Sequence, residues 1–426
     1  STMTTSRGLL ARIRARLHKD ERGFTMIEVL AAILIFGVLI TGIASMQSTT
    51  LNLIRNNRHR AVAANLASEE MDTVRSTQFA SLPVGQSVST RTVDGISYTV
   101  TRESEWIPNN ASAGACDAPP GSSPAYLRVN VAVTWPVMSG VEPVQANTIV
   151  TPPVGTYDEN TGHLGVKVLD RDGQPIGGIP VAIAGPQAQS QSTSSDGCVF
   201  FAFLPPGSYT ATVSETGYVS DQGVAAPAQG VAVVQGAIAS LLFLYDRAAT
   251  LDLTLLGKDA GHAAPAGVPV VLFNTSILPS GTLLNAGSGS PRVISGLFPY
   301  AAGFSVWAGS CADADPAFHD GGARPDPIAV EPGTTTAGPV LMYDVFVTVT
   351  VGGLPSSGRT VTAVHAADAG CPAGASYTIG QTDALGEIRF ALPYGTWQIQ
   401  VDGSTVDTPT LAPTDPTGPY VVTVIQ

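Results

Sequence analysis

Between Arg22 and Met46 the chain changes character three times, and this run limits its possible folds more than any other stretch. A basic segment ends at Gly23. Four uncharged residues follow (Phe24, Thr25, Met26, Ile27), one acid stands at Glu28, and the 18 residues from Val29 to Met46 carry no charge. A helix of about that length crosses a hydrocarbon core of roughly 30 Å. A carboxylate near the end of such a span costs about 3 kcal/mol unless it is paired or lies near the interface. Glu28 therefore needs a partner, or it rests among headgroups as in an ordinary signal anchor.

Gly23 followed by Phe24-Thr25-Met26-Ile27-Glu28 resembles the processing site of type IV prepilins and of the related type II secretion pseudopilins. The resemblance implies cleavage after Gly23 by a membrane-embedded prepilin peptidase and N-methylation of Phe24. It also implies that Glu28 pairs with the N-terminal amine of a neighbouring subunit during assembly. Ala64-Asn65-Leu66-Ala67 with Met71-Asp72-Thr73-Val74-Arg75 is similar to the corresponding stretch of minor pilins and minor pseudopilins.

No proline occurs between Phe24 and Gln78, and Leu51, Ile54, Arg58, Val62, Leu66 and Val74 recur at spacings near three to four. The spacing predicts one helix over residues 24–78, apolar over 24–46 and amphipathic over 47–78. At 1.5 Å per residue it would be roughly 80 Å long. Gly37 and Gly42 either loosen it locally or permit close helix–helix approach. Ahead of it, residues 1–23 read as a basic leader, with Arg7, Arg12, Arg14, Arg16, Lys19 and Arg22 against Asp20 and Glu21, a balance of +4. The leader is either a short basic amphipathic helix on the inner membrane surface or a solvated segment, and it is excluded from the mature fold. By the positive-inside rule it stays cytoplasmic and everything past the span lies outside. Of 21 basic and 33 acidic groups, 15 and 31 remain beyond residue 23, a balance of −16. An acidic exterior of that kind excludes sequence-independent nucleic-acid binding, which depends on Lys and Arg neutralising phosphates.

The rest of the chain reads as strands and turns, so the fold class is α+β. Residues 79–150 predict a small antiparallel sheet. Val88–Val93 and Ile96–Thr101 flank Asp94-Gly95, a hairpin signal because both turn positions need positive φ. Ala125–Trp135 alternates, and Val144–Val150 is a fourth strand. The amphipathic half of the helix is the expected lid for its apolar face. By the resemblance this is the pilin head. Residues 151–162, opened by Pro152-Pro153, read as a linker.

From His163 onward the chain repeats at about 90 residues. Gly178–Ile183, Gly267–Leu272 and Gly358–Ala363 align as strand starts. Leu204–Thr210, a degenerate Leu297–Tyr300, and Leu392–Trp397 align as turn-and-strand units. The period is too long for a solenoid and implies β-sandwiches at 163–247, 248–342 (degenerate) and 343–426. The first copy resembles carboxypeptidase regulatory-like and collagen-adhesin B-type domains. Some adhesin sandwiches carry a Lys–Asn isopeptide bond. Lys167 lies on a suitable first strand, but the matching last strand near Leu241–Asp246 has no asparagine, so a solvated or snorkelling lysine is expected.

Cys116, Cys198, Cys311 and Cys371 all lie beyond the span, and four cysteines allow three pairings. Cys311 and Cys371 sit in loop-like settings of consecutive repeats and are expected to pair, stapling the last two sandwiches. Cys116 with Cys198 is the remaining pair, with Cys198 as a plain core thiol the alternative. No C-x-x-C occurs, so neither a zinc knuckle nor a thioredoxin-type pair is suggested. Asp313, Asp315, His319 and Asp320 lack calcium-loop spacing and read as a solvated run, and His163, His262, His319 and His365 are scattered among unrelated loops. No hydrolase, zincin or phosphate-cradling motif is present, so no catalysis, metal or cofactor is expected. The combined expectation is a minor pilin, membrane-anchored before assembly and then part of an extracellular type IV pilus. Its partners would be a major pilin, other minor pilins and prepilin peptidase. Its distal sandwiches would serve adhesion to a surface, receptor or polymer, or a tip or initiating role. The alternative is a pseudopilin of a type II secretion system.

Overall fold

Met26 to Ser76 form one unbroken helix of 51 residues, α1, in the computed structural model. The structure describes residues 25–425 apart from 78–81, 83, 109–113, 120, 139, 152–159, 286, 288, 367–370 and 372–374. Gly23, Phe24, the basic leader and most of the expected linker lie outside the described residues. Within α1, Met26–Gln47 has a mean hydropathy of 2.5 and is long and apolar enough to cross a membrane. The hydroxyls inside it are satisfied locally: Thr41 donates to the Gly37 carbonyl and Ser45 to that of Gly42. Such back-bonding keeps polar side chains compatible with hydrocarbon.

The chain divides into two compact units. One holds the chain through Thr73 together with Val88–Thr101 and Val131–Ala146; the other holds Val74–Ser87, Arg102–Asn130 and Asn147–Gln426. Strands β1 (Gly85–Val93), β2 (Ile96–Pro108), β3 (Pro124–Thr134) and β4 (Val144–Val150) form a four-stranded sheet in sequence order. Asp94 (φ 51°) and Gly95 (φ 77°) make the β1–β2 turn, the pair of left-handed positions that a two-residue hairpin requires.

In the first unit, Ala63, Ala67 and Met71 of α1 pack on Tyr98, Val100, Val131, Val133 and Trp135. This corrects the helix face read from large apolar residues, because Leu51 and Ile54 are 67% and 60% exposed. The reason is geometric. Arg58 pairs with Asp94 at the hairpin turn (2.8 Å), so residues before it rise past the end of the sheet. Below that level the small alanines let the helix approach the aromatic rings, and Val62 and Leu66 flank the contact.

The second unit begins with Val74, Trp106, Leu127 and Val129 sharing a core with Phe200 and Ile238. The first sandwich places β5 (Gly162–Leu169) between β12 (Ile238–Arg247), parallel to it, and β8 (Cys198–Leu204), antiparallel. Short β10 (Tyr218–Ser220) extends this sheet beside β12. The facing sheet runs β11-β9-β6-β7, from β6 (Pro180–Ala184), β7 (Gln189–Ser192), β9 (Gly207–Val213) and β11 (Ala228–Val233). Alternate residues of both sheets (Leu164, Val166 and Val168; Val181 and Ile183; Tyr209, Ala211 and Val213) fill the space between them.

The same recipe recurs twice. β13 (Ala249–Gly257) lies between antiparallel β16 (Arg292–Leu297) and parallel β18 (Thr335–Val351). The facing sheet holds β14 (Val270–Phe273) between β15 (Thr282–Asn285) and β17 (Ser305–Ala308). From Tyr343 onward β18 changes partners. It then pairs with β22 (Glu387–Leu392) and, in parallel, with β26 (Tyr420–Ile425), while β19 (Leu354–Pro355) folds back on its end. Opposite lie β20 (Thr360–His365), β21 (Ser376–Gln381), β23 (Gly395–Val401), β24 (Ser404–Asp407) and β25 (Thr410–Leu411). One continuous core, running from Leu251 through Val345 to Trp397 and Val424, serves both of these sandwiches.

Candidate functional site

Thr25 and Glu28 build the helix entry. The Glu28 carboxylate accepts from the Thr25 backbone N–H (3.2 Å) and its hydroxyl (3.1 Å), and the Glu28 N–H donates to the Thr25 hydroxyl oxygen (3.4 Å). This is a capping box, Thr-x-x-Glu, and it puts an acid in the first turn where the helix dipole favours one. The pattern was legible in Thr25-Met26-Ile27-Glu28, yet a reading intent on the membrane span passes over it. Glu28 is exposed, as is the whole apolar face beside it, including Val29, Ile33 and Phe36.

All four cysteines are disulfide-bonded, as Cys116–Cys198 and Cys311–Cys371. Cys116 lies in a single 3-10 turn, Ala115–Asp117, that packs on β5 and β8, so the first bond ties this turn to the first sandwich. Beside it Lys167 donates to the Asp117 carboxylate at 2.7 Å. The lysine side chain is only 16% exposed, so it is paired and largely covered rather than solvated. His163, at the start of β5, is buried against Phe200 and accepts the Phe203 N–H at Nδ1 (3.2 Å). Burial lowers its pKa to about 4, because the charged imidazolium loses its hydration there.

The run 313–320 is solvated only in part: Asp320 is exposed as expected, whereas Asp313, Asp315 and His319 are half-buried and engaged, which corrects the sequence reading for those three. Asp315 caps a 3-10 turn through the Ala317 N–H and grips Arg324 with both oxygens. Arg324 in turn lies over the Phe273 ring, 3.7 Å from its centroid. Asp313 faces His365 Nε2 at 2.9 and 3.0 Å, and His319 Nε2 meets the Asp313 carbonyl oxygen at 2.7 Å. Of the four histidines, His262 and His319 do lie in connecting segments, whereas His163 lies near the start of β5 and His365 closes β20. His163 meets Phe203 40 positions away and His365 meets Asp313 52 positions away, so neither contact leaves a local pattern to find.

The described chain thus joins an apolar helix with a capped acidic first turn to disulfide-tied β-sandwiches. Residues 18–44 match the prokaryotic N-terminal methylation motif, and residues 163–238 match the carboxypeptidase regulatory-like domain. The chain therefore carries a type IV prepilin-like N-terminus and a carboxypeptidase regulatory-like sandwich. No curated protein matches it. Among solved structures it is similar to the Bacillus anthracis TIE protein, at 14% identity over 81% of this chain and 73% of that one, with a TM-score of 0.21. It is also similar to GBS52, the minor pilin in the gram-positive pathogen Streptococcus agalactiae (16%, 42% and 95%, TM-score 0.19). A further similar structure is the full-length major pilin SpaD from Corynebacterium diphtheriae (11%, 65% and 98%, TM-score 0.19).

Proposed function

We propose that this chain is a minor pilin. Its N-terminal helix is inserted in a type IV pilus, and three sandwiches (163–247, 248–342 and 343–426) are displayed outside as a stalk or adhesive head. On this reading prepilin peptidase cuts between Gly23 and Phe24, Phe24 is N-methylated, and the Glu28 carboxylate meets the new amine of a neighbouring subunit. Major and other minor pilins are then its partners, the membrane its residence before assembly, and a surface, receptor or polymer the ligand of its distal sandwiches. Its role is structural rather than catalytic.

The observation that supports the reading best is the exposure of Glu28 beside an apolar helix that none of the described residues covers: none of the Met26–Gln47 span is buried among them. A subunit built to bury that surface in a membrane first and among other helices later has this shape. Immunogold labelling of sheared fibres, with an antibody against the last sandwich, tests it. Label along or at the end of fibres is expected. Label confined to a periplasmic complex would instead assign the chain to a secretion system.

A further inference from the structure

Two sulfurs and one imidazole nitrogen converge where the second and third sandwiches are tied together. The ligand atoms of Cys311, His365 and Cys371 all lie within 4.8 Å of one another. His365 is well fixed: its side chain is 3% exposed, and its Nε2 faces both carboxylate oxygens of Asp313. That carboxylate places the ring proton on Nε2 and turns the Nδ1 lone pair toward Cys371 Sγ, 3.4 Å away. Asp313 is fixed in turn. It accepts the Thr396 N–H at 3.2 Å, and it packs so closely on Gly395 that a Cβ there would lie 2.8 Å from Oδ2. A carboxylate holding the far side of an imidazole is how protein metal sites set the tautomer and direction of a histidine ligand.

The sulfur–nitrogen edge already has the length that a tetrahedral zinc site needs, while the two sulfurs, bonded to each other here, would have to separate to about 3.8 Å once reduced. With Zn–S about 2.3 Å and Zn–N about 2.0 Å, the sulfur–nitrogen edge of a tetrahedron is about 3.5 Å. The observed separation is 3.4 Å. Cys371 is the partly exposed member and Cys311 the buried one, so an ion has a way in from one side. Both sulfurs are bonded to each other in this structure, so disulfide and metal are alternative states of one cluster.

We propose that, in its dithiol form, this cluster binds one Zn²⁺ through Cys311 Sγ, Cys371 Sγ and His365 Nδ1, with Asp313 as the residue that positions the imidazole. The dithiol is the state in which the chain is made, before oxidation. It is also reached from the disulfide by a dithiol reductant, which gives up two electrons and two protons and becomes a disulfide itself. Zinc then displaces the two thiol protons. In the reverse direction a disulfide oxidant takes up two electrons and two protons, the Cys311–Cys371 bond forms and Zn²⁺ leaves. Either state joins the segment after β17 to the β20–β21 connection, so the metal holds the two sandwiches together until the bond is made.

The test uses the full chain in detergent, reduced with a phosphine (oxidised to its oxide, with water supplying the oxygen) and titrated with Co²⁺. One equivalent should give the ligand-field bands of tetrahedral cobalt and a thiolate-to-cobalt charge-transfer band, both erased by Zn²⁺; the oxidised chain should give neither. Asp313→Asn should keep the bands and weaken binding about tenfold, the usual effect of removing an outer partner of a ligating histidine. His365→Ala should weaken it further. The proposal is overturned if the reduced parent shows no charge-transfer band, whether or not circular dichroism shows its β-structure intact. It is also overturned if the band survives in Cys311→Ser/Cys371→Ser or is undiminished in His365→Ala.

Discussion

Met342 and Tyr343 are consecutive residues of one strand that belong to different sandwiches: Met342 pairs with Gly257 and Tyr343 with Leu392. The last strand of the second sandwich is thus the first strand of the third, with no linker between them, and both share one core. The two should melt together. Trp397 is 1% exposed in that core and donates its indole N–H to the Pro393 carbonyl oxygen (2.9 Å). Trp397→Ala is expected to cost about 3–5 kcal/mol. In calorimetry it should shift a single transition containing both sandwiches, not split one from the other.

Asp344, next along the strand, has no exposed side-chain surface. Its carboxylate accepts the backbone N–H groups of Asp259 (2.9 Å), Ala260 (2.9 Å) and His262 (3.1 Å), so it holds the turn that follows β13. Hydrogen bonds to a charged group contribute about 1.5–3 kcal/mol each, and donors left buried add to the loss. Asp344→Ala should therefore destabilise by about 3 kcal/mol or more, seen as a lower urea midpoint. Asp252→Ala, on the partly exposed side of β13, should change the midpoint far less.

His163 gives the second unit a defined acid response. Its pKa is lowered to about 4 in the folded chain, against about 6.5 when unfolded. Between those values the unfolded state binds a proton that the folded state refuses. The contribution is therefore complete above about pH 6.5 and is lost as pH falls toward 4. The loss at pH 5 should be about 2 kcal/mol relative to pH 7.5. Urea midpoints measured at the two pH values check this, and His163→Gln should flatten the difference by removing the titrating group.

The Cys116–Cys198 bond closes a separation of 82 residues. A loop of that size corresponds to about 4 kcal/mol of lost freedom in the unfolded chain. Cys116→Ser/Cys198→Ser should lower the stability of the first sandwich by about that amount. Limited proteolysis should show earlier cutting there than within the last two sandwiches.

How much of this was legible in the chain depends on whether the determining interaction is local. The Asp94-Gly95 turn and the alternation of Ala125–Trp135 could be read because turn chemistry and strand period are local. The three strand starts aligned because each becomes the middle strand of a three-strand core: β6, β14 and β20. The packed face of α1 was legible only in part: Val62, Leu66 and Val74 pack, but Ala63 and Ala67, at the centre of the contact, are small and attract no weight in an apolar pattern. Strand alternation does not mark the hand-over at Met342–Tyr343, since the strand itself does not break; only the repeat of about 90 residues set a boundary there. A signal did exist in Tyr245-Asp246 and Tyr343-Asp344, whose aspartates accept from the turns after β5 and β13 respectively. The Asp313–His365–Cys371 arrangement had none, because Asp313 comes from 52 positions away and six-residue spacing alone says nothing of His365 and Cys371.

On the proposed reading, Glu28, held by Thr25 within the chain, is completed by the amine of a neighbouring subunit. The direct measurement is the amount of Glu28→Ala chain in purified filaments, normalised to the amount cut after Gly23. Normal cutting with incorporation reduced at least about tenfold is expected, equivalent to about 1.4 kcal/mol of lost pairing. Normal cutting with incorporation equal to that of the parent would contradict it.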